Sequence, residues 1–465
     1  MHNKIISLKI QLNFAVMLTF LLAAPALMAQ KNFTMYNLNE TAQSHYLNPA
    51  FRPKAKVFIS LPIAMQSFGV SNSGFNVNHL LKTRSQDDSL VFRPDIAISK
   101  MGKLNFMTTE TYNEILGFGF MVKDNYFSFS VSNRFQSNVI YPKDLVRFAL
   151  EGNGKDFLGQ RASLDGFGVN LTSYVEYAVG FNRKINDKLT VGGRVKLLSG
   201  MANVNTKKSK LGIFTDAETF NITIDGSASV YTSNVKPFYD TLAPDNYNPL
   251  KDGFSFKNLG FALDLGATYK LTEKIDVSAS LLDFGRISWK TNTANFISNE
   301  VNYTFEGVDL KQFLKDSTTT FLEQLSDTLE NVFSQEENAE SYSTGLYTRF
   351  YLGGTYKIND KIFAGATLYN EFIKSRYRPG LILSANAKIN HWLAATVNYS
   401  MYARSFSNIG VGFSLRGGPV QFYAVSDNIL GFAAPKSARN FHLSFGLNIL
   451  IGNPDKVSVS KSKFK

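Results

Sequence analysis

Four histidines follow the first thirty residues of this 465-residue chain: His45, His79, His391 and His442. None stands at metal-ligand spacing from another. The chain has no cysteine, which excludes disulfides, thiolate metal sites and cysteine nucleophiles. No phosphate loop, dinucleotide fingerprint or nucleophile elbow occurs, so neither a cofactor nor an enzyme class gains support. One pair could suggest acyl chemistry. His442 and Ser444 share a face of the last alternating segment, but a serine–histidine pair needs a third group to orient the imidazole, and the sequence identifies none. The expectation is a hydrogen-bonded histidine facing a polar interior. The remaining candidates are the charges Glu176, Arg194, Lys196, Asp264 and Asp276, on the polar faces of neighbouring segments. Charges withdrawn from water need partners. A salt-bridged network bracing a lumen is expected; the alternative is a polar path, or contacts that hold an inserted segment.

The elements that position these residues follow from composition and alternation. Aromatic residues make up 14% of the chain and charged residues only 18%, against about 25% in ordinary soluble domains. Beyond residue 30 no apolar run approaches the ~18 residues of a spanning helix. Instead, apolar and polar residues alternate. Val175, Tyr177, Val179 and Phe181 oppose Glu176, Ala178, Gly180 and Asn182; Phe441, Leu443, Phe445, Leu447 and Ile449 oppose His442, Ser444, Gly446 and Asn448. Period-two alternation places one apolar and one polar face on each strand. A sandwich would alternate as well. Here the polar faces are rich in Gly, Ser, Thr and Asn with charges of both signs, and Tyr and Phe gather near the turns, as in a transmembrane barrel.

A recurring hairpin supports this: GFNRKINDKLTVGG at 180–193, GATYKLTEKIDVSA at 266–279, GGTYKINDKIFAGA at 353–366 and ANAKINHWLAAT at 385–396. Two-residue polar turns such as Asn186-Asp187 and Thr272-Glu273 are expected at their centres. The predicted fold is an all-β transmembrane antiparallel barrel of about 14 strands. Upward strands are placed near 56–70, 126–140, 188–204, 275–290, 361–374, 392–403 and 419–427, and downward strands near 110–123, 168–183, 258–271, 344–357, 379–389, 407–417 and 439–451. All short turns then lie at one end and all long connections (71–109, 141–167, 205–257, 291–343) at the other. Sixteen strands result if 207–214 and 219–232 also span.

The termini and loops complete the organisation. Lys4, Lys9, the apolar stretch 14–28 and the small residue Ala29 read as a signal peptide over 1–29. Residues 30–55 form a polar N-terminal segment, 56–452 the barrel and 453–465 a basic tail. Both termini are expected in the periplasm of an outer-membrane protein whose partner is the surrounding lipid. The net charge of +12 suits an anionic membrane surface, and nothing points to nucleic acid. Short helices are expected in the outer loops, at 142–150 and 309–334. In the second, Phe313, Leu314, Phe321, Leu325 and Leu329 recur near helical spacing, in a stretch with nine acidic residues against two lysines between Glu306 and Glu340. It reads as a solvated cap, or as an apolar groove that captures a lipid-like ligand.

With its Asn48-Pro49-Ala50 motif near the end of a short N-terminal segment, the chain resembles the long-chain fatty-acid transporter family of outer-membrane barrels. LNPAF at 47–51, GFGF at 117–120, YPKDL at 141–145 and the YKINDK turns resemble an uncharacterised branch of that superfamily. The resemblance implies fourteen strands, a hatch within the lumen and passive transport of a small hydrophobic or amphipathic molecule. A scaffold or accessory subunit for secretion or surface display, meeting a protein partner through its outer loops, is the alternative that relatives suggest. From Lys31 to Pro53 the segment is shorter than the family's hatch.

Overall fold

The computed structural model describes residues 32–61, 65–154, 156–235, 254–305, 336–373, 376–402 and 404–452. The expected signal peptide, basic tail and helical groove at 309–334 lie outside these residues. Strand β1 comes in two pieces, Val57–Ser60 and Gln66–Asn72. It is followed by β2 (Leu104–Val122), β3 (Asn125–Pro142), β4 (Gly168–Lys184), β5 (Leu189–Thr215), β6 (Leu259–Lys270) and β7 (Ile275–Trp289). The second half contains β8 (Thr348–Lys357), β9 (Ile362–Ile373), β10 (Arg376–Lys388), β11 (Leu393–Tyr402), β12 (Ser405–Gly417), β13 (Val420–Ser426) and β14 (Asn440–Ile451). Each strand pairs antiparallel with its neighbours, and β14 closes on β1 through Val57↔Ile451 and Ser71↔Asn440. The chain is therefore an all-β closed barrel of fourteen antiparallel strands. Closure leaves no open edge, which is the condition for strands to cross lipid.

Sixteen strands are excluded by register. β5 gives its lower residues, Leu189–Ser199, to β6. Only above Asn203 does it pair with the added strand Ile222–Ser233, which pairs in turn with Thr293–Ile297 and Val301–Phe305. Those strands stand beyond the barrel as an outer sheet. Two other boundaries moved. β2 begins at Leu104, not near 110, and Pro142 ends β3 and caps the helix Lys143–Glu151 rather than lying in its first turn.

The faces divide as alternation requires. Phe118, Phe120, Phe127, Phe129, Val179, Phe181, Val195, Leu352, Leu368 and Val397 are exposed on the outside. Ser130, Ser132, Gln136, Asn182, Thr367, Ser384, Thr396 and Asn398 are buried inside. The exposed apolar band is the lipid-facing surface of a transmembrane barrel, with Tyr269, Tyr356 and Trp392 outward near the short turns.

The turns of the recurring hairpins are four residues long, not two: 185–188, 271–274, 358–361 and 389–392 separate the paired strands. The reason is a side chain in each. Asn186 Oδ1 accepts the N–H groups of Lys188 and Leu189, both at 2.8 Å. Asn359 does the same for Lys361 and Ile362, and Asn390 for Trp392 and Leu393. In the second copy the Thr272 hydroxyl takes the N–H groups of Lys274 and Ile275. A side-chain acceptor standing in for a carbonyl stabilises the wider turn.

Candidate functional site

The lumen contains the N-terminal segment. A short helix Phe33–Asn37 and a 3₁₀ turn Ala42–Tyr46 run through it, and nearly all their residues are buried. Phe33, Met35, Tyr36, Tyr46 and Leu47 pack against inward aromatics of the barrel, Tyr112, Tyr351, Tyr369, Tyr402 and Tyr423. The Phe33 ring meets Tyr369 and Tyr402 edge-on at 4.8 and 5.5 Å, and Tyr36 stacks on Tyr351 at 4.7 Å. Edge-on and stacked aromatic pairs gain ~0.5–1.5 kcal/mol beyond their burial.

Polar contacts fix the segment at both ends. Asp427 Oδ1 and Oδ2 accept the N–H groups of Thr34 at 2.8 Å and Phe33 at 3.1 Å. Thr34 Oγ1 receives Asn398 Nδ2 at 2.7 Å. Gln43 donates to Asn448 at 2.6 Å, and Tyr46 and Ser60 both donate to the buried Glu114. Among the described residues, no backbone–backbone hydrogen bond joins residues 32–55 to a strand. The His45 ring is held neutral, burial pushing its pKa down to about 3, so Nδ1–H donates to the Ala42 carbonyl at 2.7 Å.

Asn48, Pro49 and Ala50 are brought together as a wedge at the lower end. Asn48 Oδ1 caps the Ala50 N–H at 2.9 Å, its Nδ2 donates to the Ala279 carbonyl at 3.2 Å, and Asn182 Nδ2 donates to the Pro49 carbonyl at 2.8 Å. Two inward glycines make room for it. A Cβ on Gly192 would stand 2.2 Å from the Pro49 oxygen, and one on Gly266 would stand 2.1 Å from Asn48 Oδ1. These glycines permit close approach by a second piece of backbone.

Above the segment lies an ionic layer. Lys196 Nζ reaches Asp283 at 2.6 Å, Asp264 at 2.8 Å and Glu176 at 3.5 Å. Arg194 pairs with Asp264 and Glu176, and its guanidinium covers the Tyr46 ring at 4.6 Å. Four of the five charges identified from sequence, Glu176, Arg194, Lys196 and Asp264, thus meet. Asp276 does not: it is exposed at the short-turn rim. The layer recruits others: Arg134 binds Glu176 and Asp283, Arg349 binds Asp283, Glu371 and Glu110, and Arg378 reaches Glu371. Arg134 on β3 to Asp283 on β7, and Arg349 on β8 to Glu110 on β2, are bridges across the lumen between strands that are not neighbours.

Asp283 was illegible for a physical reason. It follows the outward parity of Ile275, Val277, Ala279 and Leu281, but Leu282 and Asp283 together oppose Asp264 in a bulge. Asp283 has φ 57° and donates its N–H to Asp264 Oδ1 at 2.8 Å. A bulge re-aims a side chain through the sheet. Arg134, Arg349, Glu371 and Arg378, by contrast, lie on inward faces, where parity could have found them.

His442 finds a different hydroxyl from the one its sequence suggested. Its Nε2 lies 3.3 Å from Ser67 Oγ, while Nδ1 lies 3.4 Å from Asp427 Oδ2 and 3.3 Å from the Asp427 N–H. Accepting that N–H leaves the proton on Nε2, which donates to Ser67, so the ring is not placed to remove a proton from serine. Asp427 is itself taken up by Phe33 and Thr34.

Of the cavities that the described residues line, three mark successive levels of the lumen. The outer one, ≈190 Å³, is lined by residues of β3, β4, β5, β9 and β10. A small one of ≈50 Å³ lies at the ionic layer, walled by Asn32, Tyr46, Leu47, Arg134, Lys196, Asp283 and Arg349. The third, ≈330 Å³, opens at the short-turn end between Tyr36, Asn37, Phe51, Thr190 and Thr268.

Comparison with known proteins gives a family and a set of distant structures. The model of a family of unknown function, DUF5723, matches residues 49–427. No curated protein matches. Similar solved structures include the Ralstonia pickettii toluene transporter TbuX, 9% identical over 92% of this chain and 97% of that one, with a TM-score of 0.42. The Pseudomonas putida toluene transporter TodX is 10% identical over 91% and 98%, with a TM-score of 0.38. A FadL homologue of Pseudomonas aeruginosa is 10% identical over the same shares, with a TM-score of 0.39.

Proposed function

We propose that this chain, which belongs to the DUF5723 family of unknown function, is an outer-membrane protein that passes a small hydrophobic or amphipathic molecule without an energy source. In this reading residues 1–29 are a signal peptide, both termini face the periplasm and residues 30–55 act as the hatch. One observation carries it. The N-terminal segment walls both the central and the short-turn cavity, yet among the described residues it is held by side chains alone and not by strand pairing. Its withdrawal would join the central and short-turn cavities and uncover a sleeve of Tyr351, Tyr369, Tyr402 and Tyr423. Aromatic walls with a few polar groups suit apolar and amphipathic ligands. The ionic layer braces the wall and narrows the path, so a compact cargo is favoured over a bulky one.

The scaffold reading draws on the outer sheet built on β5, which projects backbone beyond the barrel for a partner to meet. Deleting residues 32–53 separates the two. Under the conduit reading, cells carrying the deleted chain take up the apolar dye N-phenylnaphthylamine faster than cells with the intact chain, at equal amounts of folded barrel. Equal uptake leaves the scaffold reading in possession.

A further inference from the structure

We propose that the outer cavity is a binding site for a small organic anion that also carries a hydrogen-bond donor, the chemistry of a hydroxy-carboxylate. The proposal rests on the conduit reading for its role, though not for the binding itself. Twelve of the described residues line the cavity; the charged ones among these are Lys207, Lys208 and Arg376, with no carboxylate. This contrasts with the ionic layer below, where every cation has an acid. Arg376 is half-buried at the start of β10, and its side chain makes no hydrogen bond or ion pair among the described residues. It reaches toward the opposite wall, where a Cβ on Gly166 would stand 3.9 Å from Arg376 Nη2. A guanidinium left partly out of water without an acid is unfavourable, and an anionic ligand would relieve it.

A second, independent observation comes from polar atoms that the protein leaves unmatched. Asn138, fully buried, turns its Oδ1 to Arg378 Nη2 at 2.7 Å, which fixes the amide and leaves Nδ2 without an acceptor. Asn170 Oδ1 and Ser209 Oγ, on the same cavity, also lack partners. Buried polar atoms are nearly always satisfied. A carboxylate would accept from Arg376; a small turn of the Asn138 and Asn170 side chains, whose unmatched atoms are closed off from the cavity in this structure, would let Asn138 donate to the same carboxylate and Asn170 accept from a hydroxyl beside it. Ile140, Phe167 and Ile373 supply an apolar wall for the rest of the molecule. The cavity measures ≈190 Å³, room for one small ring or a short chain.

Mandelate, phenylacetate and benzyl alcohol dissect the site, since the second lacks the hydroxyl and the third the carboxylate. Titration calorimetry on the full-length barrel in detergent is expected to rank mandelate first. Arg376→Gln is expected to weaken mandelate about tenfold, while Asn170→Ala reduces mandelate to the level of phenylacetate. Both variants should keep the heat-modifiable gel mobility of the folded barrel. Equal affinity for mandelate and benzyl alcohol, mandelate affinity unchanged by Arg376→Gln, or no binding of any of the three overturns the site. Failure of the conduit reading looks different: mandelate binds, but dye uptake is indifferent to the N-terminal segment.

Discussion

Asp283 ties three walls of the lumen together, because Arg134, Lys196 and Arg349 all converge on it. Removing one partner of a buried ionic group leaves the others desolvated and unpaired, at a cost of ~3–5 kcal/mol. Asp283→Asn is therefore expected to lower the unfolding midpoint in urea sharply. Asp276→Asn, at the exposed rim, should change stability by less than ~0.5 kcal/mol. Equal midpoints for the two variants would contradict the ionic layer. Only part of this layer is legible in the sequence. Glu176, Arg194, Lys196 and Asp264 were legible because each sits where alternation turns a polar residue inward. Asp276 obeys the same parity but lies too near the turn to be enclosed, and parity carries no information about depth. Asp283 violates parity through its bulge, so alternation hides it.

At the scale of elements, the recurring hairpins were visible as strings while the shape of their turns was not. Two polar residues between alternating runs suggested the tightest connection. Counting residues does not reveal that Asn186, Thr272, Asn359 and Asn390 each accept two backbone N–H groups and thereby hold a four-residue loop. Asn359→Ala removes both acceptor bonds and is expected to cost about 1 kcal/mol, read as an earlier loss of folded gel mobility on heating. Asn359→Thr should keep most of the stability, since Thr272 performs the same task in the neighbouring turn. If threonine proves as damaging as alanine, the side-chain acceptor is not what holds the turn. Strand positions themselves were legible nearly throughout, because lipid outside and a polar lumen inside impose period two on every spanning segment. The outer sheet was ambiguous for the same reason: Ile222–Ser233 alternates well enough to span, and only its pairing above Asn203 places it outside.

At the scale of the whole molecule, the N-terminal segment is proposed as a removable part of an otherwise closed barrel. Sequence offered only Asn48-Pro49-Ala50 and a resemblance for this. The helix Phe33–Asn37 and its docking on Asp427 depend on contacts nearly 400 positions apart in the chain, which no local pattern encodes. The claim is best tested by locking the segment in place. The chain has no cysteine, and Thr34 Oγ1 lies 2.7 Å from Asn398 Nδ2 on β11, so Thr34→Cys with Asn398→Cys creates a single possible disulfide. Entry of N-phenylnaphthylamine is measured in cells bearing this variant, oxidised and then reduced. Oxidation is expected to abolish the chain-dependent uptake, and reductant to restore it. Uptake at the same rate in both states, with the crosslink shown to be complete, would contradict a removable segment.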